Sequence, residues 1–506
     1  MRRSCVMAVI ATMIMLFLVA GANGLRIAVT PFPERGRFRL MSAITEVLHS
    51  RGHEVTIFVP ESFMAFCRSE LGDVCRSVGV YRGIYTNEDD SLRPPSIIKQ
   101  FELLISIERA SVAFNSFLVA ALNGTLNQDP IIPDVVLADI GTWGVDTVAN
   151  GFHIPTVFLW SITEWPAQMN PSFPACGSGV GASMNGIERT KNYVSQRLNY
   201  WVARFRNARM DDSFEPFESF LYRRHIIAPF VFGFDVVQPF CPNVHPVGFL
   251  FPQNVTRGVM DAKWMLWMNG CSKGVIYINM GPNSLLHNEL REILGDFLRI
   301  VGERSEMCVL WERQVEEYLL SMTTSKTERL KVVQFLPFPT RLVLNHNNTR
   351  VFMTHCGHSS LYESIESRTP IVGIDLLAGD SDRCARVQDA GVGIVFDKYA
   401  LNASQLFEII SEVSKKQYIH EKLLGLKRMG YVMGGPQRAA DVVELTASIG
   451  RNNEDFFCRW MQLPYIERHD LDVVFILSGV IAAAIVVVVK MVPCGRHTKN
   501  VRLKQD

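Results

Sequence analysis

Short β-branched runs recur along most of this chain, separated by turns and amphipathic stretches, and that alternation restricts the fold to α/β architectures built on parallel sheets. The first unit comprises Leu25–Thr30, a loop opening with Pro31-Phe32-Pro33, an amphipathic stretch over Phe38–Ser50, the turn Arg51-Gly52-His53 and the run Glu54–Pro60. Strand, loop, helix, turn and strand in this order form a βαβ unit, whose functional loops lie at the C-terminal ends of its strands. The first such loop is Thr30–Arg37. The pattern returns at Pro133–Asp139 and Ile154–Leu159. A segment rich in Pro, Met and aromatics follows, Trp160–Pro174, and reads either as the wall of an adaptable apolar pocket or as an ordinary surface loop.

A second block begins with a strand in Lys273–Gly281 and a helix over Asn288–Gly302. It continues through strands near Met307–Trp311, Lys331–Phe335, Arg350–Met353, Ile371–Ile374 and Val392–Val395. The chain has 506 residues, 48% of them apolar, which is material for two cores. Expected domains span 25–250 and 270–440, joined by a linker around Phe251–Asn269 and followed by a return helix and membrane-proximal segment, 441–469. Two facing Rossmann-like domains leave a cleft suited to a large nucleotide substrate. Lysine and arginine total 51 against 50 acidic residues, so no net field draws polyanions, and nucleic acid is not an expected partner.

Both ends carry membrane-related patterns. Met1-Arg2-Arg3, an apolar run to Ala20 and the small residues Ala22-Asn23-Gly24 read as a secretory signal over 1–24, the alternative being an uncleaved anchor. Val473–Val489, VVFILSGVIAAAIVVVV, has no charge and no polar face; with Leu471 before it and Met491-Val492 after a snorkelling Lys490, a transmembrane helix is expected over 471–492. The basic tail, 493–506, then belongs in the cytosol and the body in the lumen, a single-pass type I topology. Arg502 and Lys504 approximate an endoplasmic-reticulum retrieval signal, with an ordinary solvated tail as the alternative. Sequons at Asn123, Asn254, Asn347 and Asn402 agree with a lumenal glycoprotein. The eleven cysteines show no zinc spacing; Cys67 and Cys75 are a candidate pair in an oxidising lumen. Cys494 is a candidate for palmitoylation, or inert. A homo-oligomer is compatible with all of this.

The stretch Val351–Ile365, VFMTHCGHSSLYESI, carries the most chemistry. A strand ends at Thr354-His355, a small-residue turn follows, and Ser359-Ser360 open a helix with Glu363 one turn in. Helix N-termini present unpaired N–H groups and a positive dipole end, a natural phosphate site. His355 can add a hydrogen bond or a charge, and Glu363 can accept from vicinal hydroxyls such as those of a ribose. The simpler reading makes Ser359 or Ser360 helix caps and Glu363 a capping-box residue.

The stretch resembles the donor-binding signature of eukaryotic UDP-glycosyltransferases, and Thr369-Pro370-Ile-Val-Gly-Ile374, Ala385-Arg386-Val387 and Gly391-Val-Gly393 extend the match. So do Arg51–Thr56, Asp134–Asp139, Ile154-Pro155, Gly274–Gly281 and Leu471–Val474, covering nearly the whole lumenal chain and the anchor. The resemblance implies a GT-B fold with an N-terminal acceptor domain and a C-terminal UDP-sugar domain. It also implies inverting transfer of a hexose of the glucose or glucuronate class to a small lipophilic acceptor, with UDP-sugar as co-substrate and neither metal nor cofactor. Donor contacts then fall to His355, Gly357, Ser359, Ser360 and Glu363.

The family's base is a histidine in the first βα loop, oriented by an aspartate. Counted back from Gly52, its position holds Arg37, which stays protonated and cannot be a general base. The aspartate is kept as Asp139, so the expected catalytic pair is Arg37 with Asp139, in which the cation should lower the acid's pKa. Cys356 replaces a glycine, and Ser359 an Asn or Gln. The sugar-holding Asp-Gln pair falls on Gly379-Asp380 or Asp380-Ser381, making Asp380 the sugar contact. Phe335 stands where a tryptophan stacks on uracil. Two readings follow: an active transferase, or a member that binds a nucleotide sugar or apolar ligand without transfer.

Overall fold

The computed structural model describes residues 24–76, 78–81, 115, 118–123, 132–142, 144–161, 173–174, 178–207, 223–235, 240–252, 259–281, 288–312, 328–376, 380–396, 402–450, 463–468 and 470–491. The signal, most of Trp160–Pro174, Asn254 and the tail beyond 491 lie outside these residues.

Two wholly parallel sheets organise the chain. The first contains β1 (Arg26–Thr30), β2 (Glu54–Pro60), β3 (Val78–Tyr81), β4 (Val135–Asp139), β5 (Thr156–Leu159), β6 (His225–Ala228) and β7 (Val244–Pro246), in the order β3-β2-β1-β4-β5-β6-β7. The second contains β8 (Val275–Asn279), β9 (Cys308–Glu312), β10 (Leu330–Val333), β11 (Thr349–Thr354), β12 (Ile371–Ile374) and β13 (Gly393–Phe396), in the order β10-β9-β8-β11-β12-β13. In register, Ile27 lies beside Val55 and Val135, and Phe352 beside Tyr277 and Ile371. Strands β4, β5 and β12 are buried at every position, which is why they read as unbroken apolar runs: helices cover both faces.

Helix Arg35–Ser50 begins three residues before the amphipathic pattern suggested. Its first backbone bond runs from Phe38 N to Glu34 O, 2.8 Å, directly after Pro33, so the polar first turn with Arg35 and Arg37 belongs to the helix. Phe38, Met41, Ile44 and Leu48 form the buried stripe, each contributing roughly 1.5–3 kcal/mol by leaving water. Among the linker residues, Ala262–Gly270 is a helix rather than irregular chain, with Asp261 Oδ1 accepting from Lys263 N at 3.0 Å as its cap.

The two cores exchange elements. Helix Gly435–Ile449 sends Ala439, Ala440, Val442 and Val443 into the first domain's core, while Val231, Phe234 and Phe249 pack in the second. Polar contacts also cross: Asp235 with Arg386 (2.8 Å) and the Tyr362 hydroxyl, Asp382 with Gly179 N (2.6 Å), and Asp389 with Ala182 N (2.6 Å).

Three disulfides join described cysteines. Cys67–Cys75 is the pair the sequence nominated, whereas Cys271–Cys308 and Cys356–Cys384 were not foreseen. Asn123, Asn347 and Asn402 are exposed. Among the described residues no helix is long and apolar enough to cross a membrane. The segment expected to do so is a helix, Leu471–Met491, exposed from Leu471 to Val487.

Candidate functional site: the cleft at two switch points

In each sheet the strand order reverses at one place, between β1 and β4 and between β8 and β11, and a crevice opens at the strands' C-terminal ends there. The first crevice receives Arg37 and Asp139; the second receives Gly281 and His355. The register pairs Thr30 with Ala138, so the loop after β1 and the last residue of β4 meet at one height.

Arg37 and Asp139 are brought together. Arg37 Nη1 lies 3.6 Å from Asp139 Oδ1, an ion pair too long for a hydrogen bond, and its Nε lies 3.1 Å from Glu34 Oε2. The guanidinium covers the Phe32 ring at 4.6 Å. Asp139 Oδ1 accepts from Gly141 N at 2.7 Å, while Oδ2 is buried without a hydrogen-bond partner. The side chain of Asp139 is 1% exposed and that of Arg37 24%, so a molecule entering the cleft meets the guanidinium first. Burial pushes the Asp139 carboxyl up, and Arg37, Gly141 N–H and the nearby Ser161 hydroxyl only partly offset it. The expected lowering by the cation is therefore overturned: desolvation wins over one guanidinium at 3.6 Å.

Helix His358–Ser367 starts directly after β11 and the turn His355–Gly357. Its N-cap is Gly357 (φ −61°, ψ 138°) and no side chain caps it, so the serine-cap reading fails. The first backbone acceptor in use is Gly357 O, bonded by Leu361 N at 2.9 Å, which leaves the N–H groups of His358, Ser359 and Ser360 without helical partners. Across the cleft, a Cβ placed on Gly36 would lie 3.4 Å from Ser359 Oγ, so the starts of the two helices adjoin.

The His355 ring lies between two glycines: a Cβ on Gly281 (φ +75°) would stand 2.6 Å from it, and one on Gly357 2.8 Å. Burial first, then Arg383, takes His355 down to about 4, so it is neutral near pH 7 and offers a hydrogen bond rather than a charge; its Nδ1 is unpartnered. Cys356, at the family's glycine position, has φ +64°, a left-handed conformation costing about 1–2 kcal/mol for an L-residue. The disulfide to Cys384 and a 2.9 Å bond from Arg383 Nε to Cys356 O hold it there.

Glu363 makes no hydrogen bond among the described residues. Burial first, with Glu312 and Glu366 adding repulsion, pushes its carboxyl up to about 7 against the pull of Arg39 and Arg341. Phe335 is 46% exposed beyond β10, with the Arg35 guanidinium 5.4 Å from its centroid. Asp380 is the first residue of helix Asp380–Asp389, and its side chain lies outside the described set.

The sequence model described as UDP-glucoronosyl and UDP-glucosyl transferase matches residues 32–504. The chain belongs to the UDP-glycosyltransferase family. UDP-glucuronosyltransferase 2C1 of Oryctolagus cuniculus is 24% identical over 428 residues, covering 77% of this chain and 82% of that protein. The kitacinnamycin glycotransferase superposes with a TM-score of 0.62 at 17% identity, covering 84% of this chain and 100% of that one. An Arabidopsis thaliana glycosyltransferase complexed with UDP-L-rhamnose gives 0.60 at 16% identity, covering 85% and 99%. These solved neighbours share the GT-B fold of the family, two parallel-sheet α/β domains.

Sequence reasoning missed three residues at this UDP-glycosyltransferase cleft: His358, and the arginines Arg383 and Arg386 on the facing helix. His358 was visible inside the signature, but its burial was not. Arg386 was visible only as part of the family-like Ala385-Arg386-Val387 and Arg383 not at all, because their distance from the turn is set by the packing of helix Asp380–Asp389 on β12.

Proposed function

We propose that this chain transfers a hexose of the glucose or glucuronate class from a UDP-sugar to a small lipophilic acceptor, with inversion. The observation that carries the reading is the uncapped N-terminus of helix His358–Ser367, with its free N–H groups, a buried neutral histidine and nearby arginines, at the switch point of the second sheet. Such an end stabilises a departing diphosphate. Glu363 takes the ribose hydroxyls, Phe335 the uracil face and Asp380 the sugar. The acceptor's proton passes to Asp139, its oxygen bonds the anomeric carbon, and UDP leaves with the electron pair of the broken bond. Burial favours Asp139 as the proton acceptor, and Arg37 must move aside for the acceptor to reach it.

The second reading, a member that binds without transfer, is favoured by one specific observation: the Asp139 side chain is 1% exposed behind Arg37.

The Leu471–Met491 helix is the proposed anchor. Its exposed Phe475, Ile476 and Ile481 need an apolar surrounding, which a membrane would supply. The disulfides between described cysteines and the exposed sequons agree with a lumenal body in the endoplasmic reticulum or another secretory membrane. Resistance of the full chain to carbonate extraction, lost on truncation before Leu471, tests the anchor.

The donor site is tested by titrating the detergent-solubilised full chain with UDP and UDP-sugars beside Glu363→Ala. Binding that the variant loses supports the reading, and product formation with lipophilic alcohols or phenols then separates transfer from binding alone. A wild-type chain that binds neither UDP nor any UDP-sugar overturns both readings.

A further inference from the structure

His358 is the first residue of the helix that faces the cleft, and both of its ring nitrogens are buried without a hydrogen-bond partner. A buried imidazole unsatisfied at both nitrogens lacks the hydrogen bonds that water would give it, and a bound ligand can restore them. Its surroundings define the ligand's sign. The charges of Arg383 and Arg386 on helix Asp380–Asp389, and of Arg37 on the first domain, act on it. On its own helix the ring meets the edge or face of Tyr362, with centroids 4.3 Å apart.

The acidic groups in this shell are already engaged: Asp235 with Arg386 and Tyr362, and Glu34 and Asp139 with Arg37. His355, in the same turn, is neutral. The guanidiniums have partners of their own, Arg386 in Asp235, Arg37 in Glu34 and Asp139, and Arg383 in the Cys356 carbonyl, whereas the two buried imidazole nitrogens at the helix N-terminus have none, and an anion with several acceptor oxygens would supply them.

We propose that His358 is a direct ligand of the donor's diphosphate and that it binds a proton as the donor arrives. This rests on the nucleotide-sugar reading above and adds a ligand and a linkage to it. In the free chain, burial first and then the three arginines take the imidazole down to about 3, so it is neutral near pH 7. A diphosphate offsets the guanidinium charges and accepts from the ring, and both effects favour the imidazolium. One proton is taken up from solvent, and the bound state holds it between the ring and a phosphate oxygen.

The test is calorimetric titration of the full chain with UDP-glucose or UDP-glucuronate in buffers of different ionisation enthalpy, between about pH 6 and pH 8. The diphosphate diester of these donors does not titrate in that range, unlike free UDP. The expected result is proton uptake on binding, with Kd rising by up to about tenfold per pH unit, and loss of that uptake in His358→Gln with affinity about tenfold weaker or more. Binding with no proton uptake overturns this inference and leaves the donor site standing. Uptake that persists in His358→Gln and vanishes in His355→Gln also overturns it. No binding by the wild-type chain removes the donor reading and this inference together.

Discussion

Burial takes the Glu363 carboxyl from its ordinary 4.5 up to about 7, and repulsion from Glu312 and Glu366 adds to it. Its unfolded-state pKa is the lower one, so between these values the folded chain holds a proton that the unfolded chain has released. Stability from this residue is therefore full below pH 4.5 and is lost as pH rises through 7. At about 1.36 kcal/mol per pKa unit, the raised pKa of Glu363 costs about 3 kcal/mol of stability at pH 8 and under about 1 kcal/mol at pH 5. Glu363→Gln removes that charge while keeping the shape and one acceptor oxygen. Denaturant titrations should show the variant about 3 kcal/mol more stable at pH 8, or roughly 6–12 °C higher in Tm for a domain of this size, with little difference at pH 5. The same variant should bind UDP-sugars less well at pH 8, since the proposed contact to the ribose needs the carboxylate that strains the fold. A variant no more stable than wild type at pH 8, or equally stabilised at both pH values, would falsify the reasoning.

Arg37→His places an imidazole beside Asp139, and the transfer rate measured by product formation should rise about 10²–10⁴-fold; an unchanged rate would mean that proton removal is not limiting. Exchanging Cys356 and Cys384 for serine removes a crosslink spanning 28 residues, with an expected loss of about 3–4 kcal/mol in denaturant titrations. Cys356 then loses its clamp in a left-handed conformation, so UDP affinity should fall as well; an unaltered affinity would free the turn from the disulfide. His245, taken down to about 4 by burial and by its neighbours His225 and Arg438, is neutral when folded and protonates on unfolding below its ordinary 6.5. Its contribution is present above pH 6.5 and lost as pH falls towards 4, about 2 kcal/mol at pH 5, and His245→Gln should remove that acid sensitivity in pH-dependent melts.

What the sequence determined by itself was whatever is local. β-Branched runs marked β1, β2, β4, β5, β8, β11 and β12 within a residue or two, because strands covered on both faces must be apolar throughout. The turn between Thr354 and helix His358–Ser367 was legible because a strand end, small residues and a helix start follow one another directly in the sequence. The pairing of Arg37 with Asp139 was legible only through the family resemblance, and their shared height came from the register of β1 on β4. Strands β3, β6 and β7 escaped notice, being three or four residues long, at or near a sheet edge, with no periodicity to mark them. Only the tertiary structure joined Cys356 to Cys384, carried helix Gly435–Ile449 back onto the first core, and placed Arg383 and Arg386 beside His358. It alone fixed the direction of the Asp139 shift as well. Desolvation is summed over every neighbour that excludes water, whereas the sequence announced only the single cation at Arg37, and at 3.6 Å that cation is the weaker effect.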